Sequence, residues 1–327
     1  MPVDSARRSL VVVGDASGGV VLTQEQEEVL HERLRGARAE GTWRVYQSAW
    51  REFVKWCAQQ VPQITPLRVS PIQVALHLDA VAKKAGLSTV VIRRSAIAAA
   101  FETKGLESPT NASVVKQVLT AIHREKGSRP KAPKAAATAD VMERLVSTID
   151  RTTVGGKRDV ALLLVGYTGA FRRSALCSLL VGDLRREPWG FAVTVRWDKG
   201  DQEGKGLVKA LPSNPGPLDA AQALTDWLAV RQTAPADLLF PNTDPGYVAL
   251  LVKRCARAAG FSPEEVKQLA GHSLRAGFVT EAVRRGADAI AIQQQTGHKS
   301  LDVLSRYVRE IDPLKGNAVQ RMIGKKG

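Results

Sequence analysis

Residues 271–309 read GHSLRAGFVTEAVRRGADAIAIQQQTGHKSLDVLSRYVR. Apolar residues recur at helical spacing, and glycines or polar caps break the run. Helices are predicted at about 273–285, 288–295 and 300–308. Gly271-His272-Ser273-Leu274-Arg275 opens the first of these, with His272 three residues before Arg275. Thr296-Gly297-His298-Lys299-Ser300 is a turn and a helix start, and Tyr307 stands nine residues after His298. A guanidinium fork pairs bidentately with phosphate oxygens, so Arg275 is a candidate anion-binding residue.

Working outward, Thr168-Gly169-Ala170-Phe171-Arg172-Arg173-Ser174 offers a second phosphate-binding arginine, either Arg172 or Arg173. Phe191–Trp197 alternates as a strand and Gly206–Leu211 returns as its partner. The polar turn between them carries Lys199 and its rival Lys205. Helices are predicted at about 139–150, 157–168, 217–232 and 245–259, with a last one at about 315–323. Ala161–Phe171, broken by Gly166 and Gly169, reads as a buried core helix, being too short to span a membrane. Upstream of this half, residues 128–137 form a basic linker stiffened by Pro130 and Pro133.

The first half reads as all-helical over 22–127, after a disordered tail at 1–21. Trp43, Tyr46, Trp50, Phe53, Val54 and Cys57 share one helix face and read as core, while Arg44 lies on the opposite, basic stripe. Ser70 and Pro71 open a helix running to Lys84, ended by Gly86. Ser88 caps the next, which carries Arg93 and Arg94, and Asn111–Lys126 is another. Cys57, Cys177 and Cys255 are far apart in apolar settings and suggest reduced thiols, not a disulfide framework or zinc site. No signal peptide is recognised, so a cytoplasmic location is expected.

Lys and Arg total 47 against 32 Asp and Glu, for a net charge of +15. The excess is +8 up to Ala137 and +7 after it, so a polyanion touching both halves is implied. A phosphate-binding loop of the Gly-x-x-x-x-Gly-Lys-Ser/Thr type, a cluster of acidic residues and a His-Glu-x-x-His pair are all missing from the sequence. Phosphoryl chemistry here therefore calls for cationic side chains and a protein nucleophile. Of four tyrosines, Tyr46 belongs to an apolar stripe, Tyr167 to a hydrophobic helix and Tyr247 to a helix start. Tyr307 alone sits between arginines, Arg306 and Arg309.

The ordered set Arg172, Lys199, His272-x-x-Arg275, Gly297-His298 and Tyr307 resembles the tyrosine recombinase (phage integrase) family. The spacings of 23 residues from Arg275 to His298 and 9 from His298 to Tyr307 suit that family. Thr42-Trp43, Trp56-Cys57, Tyr307-Val308-Arg309, Ile311-Asp312 and Gly316 are similar to its Cre recombinase branch. The resemblance covers about residues 22–327. It implies an all-helical core-binding domain (SAM-like) and an α+β catalytic domain at 138–327 with a small antiparallel sheet, together forming a C-shaped clamp on DNA.

The resemblance also implies roles. Arg172 and Arg275 hold the scissile phosphate, Tyr307 attacks it, and Lys199 protonates the leaving oxygen. His272 acts as general base or by positioning, and His298 hydrogen-bonds the phosphate. No metal or nucleotide cofactor is implied. Double-stranded DNA with inverted-repeat sites is the partner, and four protomers assemble on it, with the helix at 315–323 docking into a neighbour. Thr42, Arg44, Lys83, Lys84, Ser88, Arg93, Arg94, Arg129, Lys131, Lys134, Tyr247 and Lys253 are the candidate DNA contacts. One departure stands out. The family usually has an acidic residue three positions after the first arginine, and here it is Ala175. A type IB topoisomerase, a telomere resolvase and a non-catalytic DNA-binding relative are the competing readings.

Overall fold

The computed structural model describes residues 11–13, 20–22, 29, 33, 40–127, 135–196 and 206–298. Lys199, Lys205, Tyr307, the linker cations Arg129, Lys131 and Lys134, and the helices expected at 300–308 and 315–323 lie outside them. The chain divides into two compact units, Met1–Lys131 and Ala132–Gly327.

Within the expected tail of the first unit, β1 (Val11–Val13) and β2 (Val20–Leu22) pair antiparallel, a strand pair the sequence reading did not anticipate. Runs of β-branched valine favour the extended state. The helices α1 (Glu40–Ala58), α2 (Pro71–Lys84), α3 (Leu87–Thr103) and α4 (Ser113–Lys126) follow. Ala49, Phe53 and Cys57 form the buried face of α1, with Trp50 and Trp56 packed against the same core. Val54, expected on that face, is exposed, because it lies one residue round the helix from Phe53.

A full capping box opens α2: Ser70 Oγ accepts from Gln73 N at 3.3 Å, and Gln73 Oε1 accepts from Ser70 N at 2.8 Å. The cap of α3 is Gly86, with no side-chain bond, so Ser88 does not cap that helix but sits exposed in its first turn. Arg93 Nη1 donates to Ala49 O at 2.9 Å and ties α3 to α1.

The second unit is built around α6 (Val154–Thr168), buried continuously from Asp159 to Tyr167. Around it stand α5 (Ala139–Val146), α7 (Arg173–Cys177), α8 (Ala220–Leu228), α9 (Pro245–Ala258), α10 (Pro263–Gln268), α11 (His272–Arg284) and α12 (Ala289–Thr296). An antiparallel sheet of order β3-β4-β5 comprises Leu184–Glu187, Gly190–Val195 and Leu207–Pro212. The fold class is therefore mainly helical with a small antiparallel sheet.

β3, α7 and α10 were not anticipated. Each is six residues or shorter, too short for a periodic signal. α11 passes so close to the preceding chain that a Cβ at Gly277 would lie 1.9 Å from Ala137 O. Backbone bonds from Ala135 N to Gln268 O at 3.1 Å and Ala137 N to Ser273 O at 3.0 Å hold that chain in place. Among the described residues, no helix is long and apolar enough to cross a membrane.

Candidate active site

Five segments of the second unit converge around Arg275: the end of α6, the start of α7, β5, the start of α11 and the end of α12. Arg275 is 3% exposed, and its Nη1 donates to Ala170 O at 2.8 Å and to Thr296 O at 2.7 Å. Burying a guanidinium costs several kcal/mol unless hydrogen bonds compensate, and these two carbonyls do so. Ala170 holds φ at +46°, a left-handed conformation unusual for a residue with a Cβ. It lies in the turn between α6 and α7, whose N-cap residue is Arg172.

Arg172 is half-buried, and burial lowers its pKa. Its neighbour Arg173 turns elsewhere. The Arg173 side chain lies against Gly271, and its Nη1 donates to Pro245 O at 3.0 Å. Arg172 acts on Lys209, His298 and His272, whereas Arg173 acts on His272 alone of these three.

The α12 end is tied into the same cluster. Gly297 ends the helix at φ +70°, where glycine has no steric penalty. Thr296 Oγ1 donates to Ile292 O at 2.7 Å and lies 2.8 Å from His298 Nδ1. With the hydroxyl proton on the Ile292 carbonyl, Thr296 Oγ1 accepts from the Nδ1-protonated tautomer of His298, in which Nε2 is an acceptor. The pKa of His298 is pushed down to about 4, by burial first and then by Arg275, Arg172, Lys209 and His272.

His272 remains open to solvent at the mouth of α11, with its pKa lowered by partial burial, then by Arg275, Arg173 and Arg172. Among the described residues, every charge acting on these two histidines is positive. An arrangement of this kind is a receptor for an anion, whose negative charge would relieve the mutual repulsion. Among the described residues, no group of three or more His, Cys, Asp or Glu converges to hold a metal ion.

Lys209 was overlooked in the sequence. It is 1% exposed, stands within the same set, and has its pKa pushed down to about 7 by burial, then by Arg275 and Arg172. Gln295 was overlooked too: its Nε2 donates to Thr168 O at 2.9 Å and Ala210 O at 2.8 Å, joining α12 to α6 and β5. Ala175 is buried beside a cavity of about 270 Å³ shared with Asp183 and Arg196. The buried Asp183 carboxylate there accepts from Leu180 N at 2.9 Å and pairs with Arg196.

The candidate DNA contacts fall into two groups. Arg44, Lys83, Lys84 and Ser88 are exposed, with Arg44 paired to Glu40 at 3.0 Å and Lys83 to Asp79 at 2.9 Å. Thr42 and Lys253 are half-buried. Three others already serve the fold. Arg93 bridges α3 to α1, and Arg94 Nη2 donates to Asn111 Oδ1 at 3.1 Å. Tyr247 donates to the buried Asp159 at 2.7 Å, in a group that Arg158 and Arg254 complete.

Comparison with known proteins gives a consistent answer. Residues 136–312 match the model of the phage integrase family. The chain is 33% identical over 309 residues to an integrase/recombinase XerD homologue of Selenomonas ruminantium, spanning 90% of this chain and 88% of that one. Its fold is similar to that of the XerH site-specific recombinase bound to a palindromic difH substrate, with TM-score 0.62 at 18% identity over 90% of this chain and 84% of that one. The Tn1549 transposon integrase in complex with transposon right-end DNA also gives TM-score 0.62, at 19% identity, over 92% and 99% of the two chains.

Proposed function

The chain belongs to the phage integrase family of tyrosine recombinases, and from that premise we propose that it breaks and rejoins duplex DNA through a phosphotyrosyl intermediate on Tyr307. The observation that carries this reading is the cluster of Arg172, Arg275, His272 and His298, where among the described residues only positive charges act on the histidines. A phosphodiester is the anion such a cluster suits. Arg172 and Arg275 offset the charge that grows on the non-bridging oxygens of the pentacoordinate transition state. The Tyr307 oxygen forms a bond to phosphorus as the bond to the 5′ oxygen breaks. The 3′ end stays on tyrosine, and the 5′ oxygen takes a proton from Lys199.

His272 accepts the tyrosine proton or orients its acceptor. His298 presents an unprotonated Nε2 when the site is empty, given its Thr296 bond and its low pKa. It becomes a donor to phosphate only as bound negative charge raises that pKa. The phosphotyrosyl bond retains the energy of the diester, so the proposed cycle needs neither nucleotide nor metal. Two rounds of exchange between four protomers on paired inverted-repeat sites, through a Holliday junction, complete recombination. A monomer or dimer precedes synapsis, and the nucleoid in the cytoplasm is the proposed place of action.

Incubation with a nicked suicide duplex carrying the cognate site tests the chemistry. Wild-type protein is expected to form a covalent adduct on the 3′ end, stable to denaturant, and Tyr307→Phe to form none. No adduct on a site the protein demonstrably binds would sink the proposal and favour the non-catalytic reading that Ala175 suggests. Relaxation of supercoils with no recombinant product would point to a topoisomerase instead.

A further inference from the structure

The inner face of β5 reads Leu207, Lys209, Leu211, and the outer face Val208, Ala210, Pro212. A lysine thus occupies a core position between two leucines. Its ammonium lies 5.0 Å from the centre of the Phe171 ring and donates to Gln295 O.

That carbonyl belongs to the last turn of α12, where the final carbonyls have no partner within a helix. Each of three finds one elsewhere. Gln293 O accepts from Gly297 N at 2.7 Å, Gln295 O from Lys209, and Thr296 O from Arg275 at 2.7 Å. The Gln295 amide bonds Ala210 O, the next residue of the same strand, and Gly297 sits so close to Leu207 that a Cβ there would lie 2.8 Å from it. Two residues at the end of α12, Gln295 and Gly297, are therefore seated on Leu207, Lys209 and Ala210 of β5, while Thr296 between them is held by Arg275.

We propose that Lys209 is a positioning residue for DNA cleavage: by holding the end of α12 on β5, it fixes Thr296 and His298 against Arg275. The proposal rests on the cleavage reading above. The aliphatic stem fills the space between Leu207 and Leu211, while the ammonium supplies a hydrogen bond no apolar residue can make. An ammonium here also adds positive charge to a phosphate-binding site, which an amide would not.

Lys209→Met keeps the stem and removes the donor and charge. At saturating nicked duplex, its rate of adduct formation is expected to fall at least tenfold, with DNA affinity within threefold of wild type. Lys209→Gln, a neutral donor, is expected to fall between the two. The ring signals of His298, followed by NMR titration, should move to higher pH in Lys209→Met, since a positive neighbour is gone and the hold on the turn is released.

A Lys209→Met rate within twofold of wild type, or a loss residing wholly in DNA affinity, overturns the proposal. So does an unmoved His298 titration. If the methionine variant fails to fold, Lys209→Gln is judged by the same limits. Failure of wild type itself to form an adduct would refute the cleavage reading, while the NMR arm, which needs no activity, would still decide whether Lys209 places His298.

Discussion

Arg275 is placed to serve the fold and, in the proposed cleavage, the chemistry as well. Its Nη1 satisfies two carbonyls from segments 126 residues apart, Ala170 and Thr296, so the turn bearing Arg172 and the turn bearing His298 meet on one guanidinium. Lysine in its place offers a point charge without a planar fork, and a shorter reach. Arg275→Lys is therefore expected to slow adduct formation by about 100-fold or more, the scale of losing a preorganised donor to a developing oxyanion. It should also lower stability by about 1–3 kcal/mol, because a buried carbonyl loses its partner. Single-turnover cleavage and urea unfolding measure the two effects. A variant within tenfold of the wild-type rate would show that Arg275 is structural only. The sequence pointed to Arg275 through its neighbours His272 and His298. It did not reveal the carbonyl pair, because long-range backbone bonds leave no local pattern. Lys209 did leave one: a charged residue breaking an inward Leu-x-Lys-x-Leu alternation is a flag for a buried functional group.

At the level of elements, legibility followed length and capping. The helix at 71–84 was readable because Ser70, Pro71 and Gln73 supply a complete start signal. The helix at 87–103 was misread at its start, since Gly86 caps it without a side-chain bond. The β4–β5 hairpin was readable from alternation, whereas β3, whose middle residues Arg185 and Arg186 are exposed, carries no apolar pattern. One element also makes a pH prediction. His77 on α2 is buried, with neither ring nitrogen bonded, edge-on to Phe53 and Trp56 at 4.9 and 5.0 Å. Burial, then Arg93, pushes its pKa down to about 4. The unfolded chain binds the proton near the ordinary value of about 6.5 and the folded one resists it. Stability is thus complete above about pH 6.5 and falls as pH drops toward 4, by on the order of 3 kcal/mol in all. Urea midpoints of the first unit, read by tryptophan fluorescence, should fall over that window in wild type. The window should be much flatter in His77→Leu, and equal slopes would refute the assignment.

For the whole molecule, the distribution of charge matters more than its sum. The excess of +8 up to Ala137 and +7 beyond it means that neither unit alone carries the attraction to a polyanion. Arg44, Lys83 and Lys84 are solvent-facing on the first unit, and the Arg172–Arg275 cluster opens in the second. Each phosphate neutralised releases counterions, so affinity falls as a power of salt concentration, with slope about 0.9 per phosphate. If both units grip the backbone, the number of phosphates is at least about six, and the affinity for duplex DNA of arbitrary sequence should fall by about 1,000-fold between 50 and 200 mM salt. Fluorescence anisotropy of a labelled duplex measures the slope. Replacing Lys83 and Lys84 together by glutamine should reduce it by about two if both touch phosphate, without changing the preference among sequences. A slope near two for the intact chain would mean that only one unit engages the backbone. Binding would then rest on a local site rather than on the charge spread along the chain.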